Sequence, residues 1–554
     1  MEHWIQLYPK LFHVYQSAAQ RCFGHPPKTY TSELAKTFKN KFWEEDPYFY
    51  ACLQSYLALS SFLEDLIKKV PMDDDKRREI LFYVQQYCNA LSPANFPGTN
   101  PEIFYKAMQE GPSYLQDGIA KLHEDWKKMG PSGFLTALAK PKGFEIGKNL
   151  AITPGCVVFR NDLFELIQYK NQTPKTYERP ILLTPPWINK YYIFDLTPEN
   201  SFVNWLCQQG FTVFIISWVN PGPDMKKVGF GDYIDNGLLR AAEVVRSICN
   251  NAPINALGYC LGGNLLACGL GKLKAEGKNW FSSATFLTTI FDFDKMDELG
   301  LFLQNRHFAP FQKMIHKHGV VDGYALSNLF SILRSNDLIW PALIDRYFLR
   351  KDPPALDFLY WNADPVALPA QMYMDFIEHM VHANGFLKSG GMSLPGQPTL
   401  DFQNMDTPTF VMAAARDHIA PYRSCFPLFS KAKGPKAFVL STSGHIAGVI
   451  NPPQKHKYSY FHLERMKPDI NQVDWRRNAI EVKGSWWPFW TKWLADYSGQ
   501  RQTAPPSMGS KKFPALDEAP GQYIHQQAKP WAQESPWSFF KDAESAMNEA
   551  AKDQ

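Results

Sequence analysis

The sequence predicts an α/β protein with a helical N-terminal region and an inserted lid or cap. Residues 1 to about 140 show helical periodicity, short apolar strands alternate with helices from Arg179, and the alternation stops near Phe291 and resumes at Thr407. Such alternation indicates a parallel sheet covered by helices on both faces. We therefore expect these segments: helical domain 1–145, α/β core 146–290 and 405–500, lid or cap 291–404, irregular C-terminal tail 501–554.

Composition favours a large globular protein and excludes several classes. The chain has 554 residues, of which 45% are hydrophobic and 20% charged, so it can bury a sizeable core. A net charge of +4 without a dense Lys/Arg cluster argues against nucleic-acid binding. Nine scattered cysteines without CxxC pairs or Cys/His metal spacing predict reduced thiols, and we expect no metal and no cofactor. No signal peptide or transmembrane segment is visible, which predicts a soluble cytoplasmic protein.

The N-terminal helices have recognisable beginnings. Asp46-Pro47 has the form of an N-cap followed by proline in the first turn, and it opens a helix that runs through Ile67. A second helix is predicted over 73–91 and further helical segments around 114–129. These elements carry no catalytic motif, so we expect the chemistry to lie further along the chain.

The strands of the core follow in order. Residues 149–169 alternate around turn signals, as short antiparallel strands do. Apolar runs then predict buried strands, separated by helices over 199–209, over 233–249 and from Leu261 onwards. The predicted strands are 181–184, 212–217, 254–258, 283–290, 407–413 and 437–440.

Three later segments have a predicted structural role. The helical, Pro/Gly-interrupted stretch 291–404 is either a lid above the carboxyl edge of the sheet or additional core, and the sequence favours neither. Residues 484–493 place Trp486, Trp490 and Trp493 on one helical face, which is typical of a helix that packs on a sheet. A short helix is predicted from Ser535.

The strongest chemical motif is Gly258-Tyr259-Cys260-Leu261-Gly262, which has the form of a nucleophile elbow with Cys in place of Ser. Glycines at 258 and 262 remove side chains that would clash in this strained strand-to-helix turn. The alternative is an inert core cysteine, but a strand before the motif and a helix after it favour the elbow. The backbone N–H of Leu261 is the predicted oxyanion donor, and Trp187 or Ile188 would supply a second.

An acid and a histidine follow in the order that the α/β-hydrolase fold requires. Asp417 follows strand 407–413, and His445 leaves the last predicted strand in a glycine-flanked loop. Asp417 could instead cap a turn and His445 could be an ordinary loop histidine, yet their joint placement favours a Cys260–Asp417–His445 triad. His418 is the rival histidine, and we predict that it faces the substrate.

Longer segments resemble the class I polyhydroxyalkanoate synthases over about residues 90–525. They include PPWINKYYIFDLTPENSFV (185–203), GYCLGG (258–263), FLYWNAD (358–364) and SGHIAGVINPP (443–453). The resemblance implies that Cys260, Asp417 and His445 are catalytic, and we predict that Trp361 and Asn362 face the substrate. It also implies a homodimer at the surface of polyhydroxyalkanoate granules, with possible granule-coat proteins. The first 90 residues match loosely and the tail is longer than usual.

The predicted reaction polymerises short (R)-3-hydroxyacyl-CoA, such as 3-hydroxybutyryl-CoA, into polyester with release of CoA. A thioester between Cys260 and the acyl group would be the intermediate. Asp417 either orients His445 or helps to remove the proton of the attacking hydroxyl, and the sequence does not separate these roles. Two alternatives remain open: a thioesterase or polyester hydrolase with the same triad, and a non-catalytic granule-associated scaffold.

Overall fold

The computed structural model describes residues 2–24, 38–111, 113–303, 309–388, 390–402, 405–463, 470–529 and 531. The chain divides into two compact units, Met1–Lys140 with Asn328–Pro354, and Pro141–Ser327 with Ala355–Gln554. Residues 328–354 of the predicted insertion thus belong to the helical unit. The four-segment division stays a prediction, and the short helix predicted from Ser535 lies outside the described residues.

The first unit is helical, as its sequence predicts. Asp46 accepts hydrogen bonds from the N–H groups of Tyr48 and Phe49, which confirms it as an N-cap. Gly130, with a φ of 67°, kinks the last N-terminal helix. The helices are Glu2–Cys22, Phe42–Glu45, Pro47–Lys69, Asp74–Ala90, Pro101–Glu110, Ser113–Leu138, Ser335–Leu338 and Trp340–Leu343, followed by a π-helical turn, Ile344–Phe348.

A ten-stranded sheet forms the centre of the second unit. Its strands are β1 (Gly155–Arg160), β2 (Phe164–Tyr169), β3 (Ile181–Thr184), β4 (Val213–Trp218), β5 (Ile254–Tyr259), β6 (Phe281–Leu287), β7 (Thr409–Ala414), β8 (Lys436–Ser441), β9 (Ser459–His462) and β10 (Ile480–Lys483). The spatial order is β1-β2-β4-β3-β5-β6-β7-β8-β9-β10. Six neighbouring strands are parallel, in the spatial order β4-β3-β5-β6-β7-β8, whereas β1, β2, β9 and β10 pair antiparallel. This is the α/β-hydrolase arrangement predicted from the sequence.

The expectation that the strand before His445 is the last one was wrong. β9 and β10 follow it and extend the sheet at that edge. β10 is largely exposed and alternates apolar and charged residues over only four positions, so its sequence gives a weak strand signal. Two further strand pairs lie outside the main sheet: Lys175–Tyr177 with Arg501–Thr503, and Val320–Val321 with Leu368–Pro369.

Helices of the second unit cover the sheet and carry the connections. They are Phe202–Gln208, Phe230–Asp232, Arg240–Ile248, Leu261–Ala275, Asp297–Leu303, Ala309–His318, Asp357–Asn362, Ala370–Asp375, Tyr422–Lys431, His445–Val449, Gln472–Asn478 and Trp487–Ala495, with π-helical turns at Tyr233–Leu239 and Phe376–His382. The helix Gly323–Leu333 begins in this unit and ends in the first. We call Leu261–Ala275 the elbow helix, His445–Val449 the histidine helix and Trp487–Ala495 the tryptophan helix. In the described part of the chain, no helix combines the length and apolarity of a membrane span.

The tail beyond residue 500 is attached to this unit through residue 526. The buried carboxylate of Glu165 accepts hydrogen bonds from the N–H groups of Gln522 and Tyr523. The buried Lys190 ammonium donates to the carbonyl oxygen of Ile524 at 2.8 Å. Irregular backbone can pack in this way because the core supplies partners for its polar groups.

Candidate active site

Cys260 occupies a strained turn between β5 and the elbow helix. Its φ of 52° and ψ of −123° are a conformation that non-glycine residues rarely adopt, and it is held because the Cys260 N–H donates to the Leu287 carbonyl at 2.9 Å. A Cβ at Gly258 would come within 2.5 Å of the Cα of Gly263. One at Gly262 would come within 2.0 Å of the Thr184 carbonyl oxygen. The two glycines are therefore required by the turn, as the elbow motif predicts.

Asp417 lies just beyond β7 with its carboxylate buried. Oδ1 accepts hydrogen bonds from the N–H groups of Ile419 and Ala420, both at 2.8 Å. The turn that Asp417 caps thereby fixes its side chain and leaves Oδ2 directed at His445. The turn-cap role and the triad placement, which the sequence offered as alternatives, occur together.

His445 begins the histidine helix and completes the arrangement. Its Nδ1 lies 2.6 Å from Asp417 Oδ2, and the histidine side chain is only 7% exposed. The Cys260 side chain lies close enough to the imidazole to raise its pKa, and the imidazole ring lies 5.3 Å from the ring of Tyr259. His445 was predicted in a loop; it lies instead at the first position of a five-residue helix after Gly444.

Burial and the neighbouring Asp417 and Cys260 side chains have opposite effects on the pKa of His445. Burial alone lowers the pKa of the imidazole, but the Asp417 carboxylate and the Cys260 sulfur raise it, and the outcome is a pKa of about 10. His445 therefore carries its proton at neutral pH, between a carboxylate and the sulfur. Cys260 also sits at the N-terminus of the 15-residue elbow helix, whose dipole favours negative charge there. Both the helix dipole and the charge on His445 would stabilise negative charge that develops at this position during a reaction.

The predicted oxyanion donors lie on the elbow and on the loop after β3. Within the described residues, the N–H groups of Leu261 and Ile188 donate to no backbone acceptor. The Ile188 carbonyl accepts a hydrogen bond from the Val366 N–H at 3.1 Å, and Asn189 forms an antiparallel bridge with Pro365. The loop after β3 is therefore hydrogen-bonded to the residues that directly follow the FLYWNAD motif. The role of Leu261 and Ile188 as oxyanion donors stays a prediction.

The predicted substrate-facing residues have contacts of other kinds. Trp361 is buried, and its indole N–H donates to the Lys190 carbonyl at 2.7 Å, which adds a further tie to the loop after β3. The carbonyl of Asn362 accepts from the Ser327 hydroxyl. His418 is partly exposed beside Asp417, whereas the imidazole that contacts Asp417 Oδ2 belongs to His445. Contact of these three residues with substrate remains a prediction.

The sequence did not connect the tryptophans to the histidine. The indole N–H groups of Trp486 and Trp487 donate to the carbonyls of Gly448 and Val449, at 2.8 and 2.9 Å. The Trp-rich segment 484–493 was correctly predicted to pack as a helix. Its hydrogen bonds to the histidine helix could not be predicted, because a bond between two segments far apart in the sequence produces no regular spacing of residues. Among the described residues, no group of three or more His, Cys, Asp or Glu side chains could hold a metal ion.

Comparison with known proteins identifies the family. A family model described as "Poly-beta-hydroxybutyrate polymerase (PhaC) N-terminus" matches residues 35–206. The poly(3-hydroxyalkanoate) polymerase of Methylorubrum extorquens is 38% identical over 515 residues, which cover 93% of this chain and 83% of that protein. The chain belongs to the poly(3-hydroxyalkanoate) polymerase family. A second member, the polymerase subunit PhaC of Cupriavidus necator, is 37% identical over 89% of this chain and 83% of its own length.

Solved structures resemble this polymerase-family chain only remotely. A lipase-esterase related protein from Clostridium acetobutylicum aligns with 52% of this chain and 93% of its own, at 12% identity and a TM-score of 0.29. The mouse alpha/beta hydrolase domain-containing protein 10 covers 52% and 90%, at 14% identity and a TM-score of 0.29. The relatives confirm the prediction of an enzyme of this family, and the order of strands in the sheet confirms the predicted α/β architecture.

The electrostatics of the polymerase-family site predict how Cys260 reacts with a thiol reagent. Because His445 keeps its positive charge up to about pH 10, we expect iodoacetamide to alkylate Cys260 rapidly at neutral pH. In His445→Ala, the alkylation rate should rise only at the pH at which an ordinary thiol ionises, about 8.5. Rates are measured by mass spectrometry of the Cys260 peptide across pH. His418→Ala is the matched control and should keep the wild-type profile; an equal shift in both variants contradicts the assignment.

Proposed function

We propose that this chain polymerises short-chain (R)-3-hydroxyacyl-CoA into polyester through an acyl group carried on Cys260. The observation that carries the proposal is the 2.6 Å contact between Asp417 and an imidazole that also neighbours a cysteine on a nucleophile elbow. Family membership supports the polymer product, because relatives are named poly(3-hydroxyalkanoate) polymerases. In this proposal Cys260 is the nucleophile, His445 the proton carrier and Asp417 its partner.

The acylation step exchanges one thioester for another. The Cys260 thiolate attacks the thioester carbonyl carbon, and the negative charge moves to the carbonyl oxygen beside the N–H groups of Leu261 and Ile188. The bond from that carbon to the CoA sulfur breaks, and the departing thiolate takes the proton of the His445 imidazolium. Free CoA, a neutral imidazole and an acyl group on Cys260 remain. Cysteine suits this task because the new thioester stays activated for the next transfer.

The elongation step restores the starting charges. His445, now neutral, accepts the proton of the 3-hydroxyl of a second 3-hydroxyacyl-CoA, and the resulting oxygen attacks the acyl carbon on Cys260. An ester bond forms, the bond from carbon to the Cys260 sulfur breaks, and the imidazolium–thiolate pair returns. Cys260 then attacks the CoA thioester of the lengthened chain, and another CoA leaves. Asp417 orients His445 in both steps; a direct role in removing the hydroxyl proton is the alternative.

Water must be kept from the acyl-enzyme, because the same triad would otherwise hydrolyse it. We assign this task to a lid within 291–404. Short acyl chains, a homodimer, a cytoplasmic location at the granule surface and contacts with granule-coat proteins complete the proposal. They rest on the resemblance of the sequence motifs to class I synthases.

The product of incubation with 3-hydroxybutyryl-CoA tests the proposal. We expect free CoA together with insoluble polyester, with CoA released in proportion to the ester bonds formed. Free CoA is quantified with a thiol reagent and the product by gas chromatography after methanolysis. Soluble 3-hydroxybutyrate in place of polymer would indicate a thioesterase, and no CoA release with intact Cys260 would indicate a non-catalytic scaffold. A series of 3-hydroxyacyl-CoAs of increasing length gives the preferred acyl chain.

A further inference from the structure

The histidine helix is too short to hold His445 by its own hydrogen bonds. It has five residues, and the bonds that join it to its flanking residues run from the Gly448 N–H to the Gly444 carbonyl and from the Ile450 N–H to the Ile446 carbonyl. Isolated helices of this length are not stable, and the last carbonyls of any helix lack partners within it. The orientation of the His445 imidazole therefore depends on groups outside this helix.

Two indoles supply those outside groups. Trp486 and Trp487 donate to the consecutive carbonyls of Gly448 and Val449, three and four residues after His445. Both tryptophans are fully buried, with exposures of 0% and 1%. The Trp486 N–H supplies a partner for the Gly448 carbonyl, and the Trp487 N–H adds to the bond that the Val449 carbonyl accepts from the Asn451 N–H at 3.2 Å. Together they fix the end of the helix opposite to His445.

The indoles are themselves fixed to the part of the sheet that positions Asp417. Trp486 packs against Phe410 in β7, the strand that leads to Asp417. Trp490, one turn along the tryptophan helix, donates to the Thr285 hydroxyl in β6 at 3.0 Å. The histidine helix and the carboxylate that contacts its first residue are thus anchored to one packed block. Such a block keeps the relative position of two side chains constant.

We propose that Trp486 and Trp487 are positioning residues of the triad, which act on the imidazole of His445 through the backbone of the histidine helix. The 2.6 Å hydrogen bond between His445 and Asp417 depends steeply on distance and angle. A small rotation of a five-residue helix changes both, and with them the charge on the imidazole beside Cys260. The role rests on the two indole N–H groups, not on the bulk of the rings. It deepens the proposed function, since the residue positioned is its proton carrier.

The test removes the N–H groups and retains aromatic rings. Trp486→Phe and Trp487→Phe are compared with Trp475→Phe, a fully buried tryptophan whose indole N–H has no hydrogen-bond partner in the described structure. We measure the pH profile of Cys260 alkylation, kcat and KM for CoA release, and the Tm of the full chain. We expect kcat to fall about 10- to 100-fold in Trp486→Phe and in Trp487→Phe, with little change in KM. Losses of this size are typical when a residue that orients a catalytic group from behind is replaced. Their alkylation profiles should shift towards that of His445→Ala.

The control separates positioning from packing. Trp475→Phe should lower the Tm, because a buried ring shrinks, and should leave the alkylation profile at the wild-type position. Wild-type profiles in folded Trp486→Phe and Trp487→Phe overturn the proposal, as does an equal shift in all three variants. If one variant fails to fold, the other carries the test, since each indole holds its own carbonyl. Alkylation needs no turnover, so it tests the positioning role of the two tryptophans even if the chain makes no polymer.

Discussion

Replacing Cys260 with alanine is expected to reduce CoA release from 3-hydroxybutyryl-CoA by at least about 10³-fold, the scale of loss when a covalent nucleophile is removed. Cys425 lies near enough to Cys260 for their charges to interact, but it is fully buried, and burial raises the pKa of its thiol well above the ordinary value. The next cysteine on the elbow helix, Cys268, is fully buried, and burial raises the pKa of its thiol well above the ordinary value. Initial rates of CoA release, followed with a thiol reagent at a fixed pH, give the ratio.

Two companion variants sharpen this expectation. Cys260→Ser should also retain little activity, because a serine hydroxyl remains protonated beside an imidazolium and is a far weaker nucleophile. Cys268→Ala removes a cysteine from the same helix and should keep CoA release within a few-fold of wild type, with only the small loss of stability that follows shrinkage of a buried side chain. CoA release by Cys260→Ala at the level of Cys268→Ala would refute the proposed intermediate.

The parts of the fold that the sequence predicted well have strong local signals. The strand Ile181–Thr184 was predicted with both of its ends, because its four residues are fully buried and Pro185 follows directly. The elbow was predicted because its glycines have a characteristic spacing, and at Gly258 the need for glycine arises inside the motif itself, from contact with Gly263. Asp417 was found for a topological reason, since the carboxyl ends of parallel strands meet at one edge of the sheet.

The parts that the sequence missed depend on contacts between distant segments. Charged residues alternate with apolar ones along the short strand β10, and this segment is a strand because its backbone pairs with the edge strand β9. The histidine helix has too few residues to show periodicity, and it exists because Trp486 and Trp487 complete it from about forty positions away in the sequence. Residues 328–354 belong to the helical unit despite their place between strands of the sheet. No window of sequence contains both partners of such contacts.

Substituting Gly262 with alanine is expected to cost about 3 kcal/mol or more of folding stability and about 10²-fold in CoA release. The added Cβ would lie 2.0 Å from the Thr184 carbonyl oxygen and 2.7 Å from that of Pro185, which are backbone atoms that cannot rotate away. Relief requires β3 and its following loop to move from the elbow, and this loop carries the Ile188 N–H that we assign to the oxyanion. Urea unfolding gives the stability, and CoA release by the folded fraction gives the activity.

Gly271 offers the same substitution on the same helix without the same collision. A Cβ there meets Leu400 at 3.4 Å, an ordinary contact, so Gly271→Ala should be neutral or gain up to about 1 kcal/mol from helix propensity. The two variants therefore separate a general effect of adding a methyl group to the elbow helix from a specific effect at the turn. If Gly262→Ala were as stable and active as Gly271→Ala, β3 and the elbow could move apart freely. Cys260 would then have no fixed approach to a carbonyl, and the oxyanion assignment to Ile188 would lose its basis.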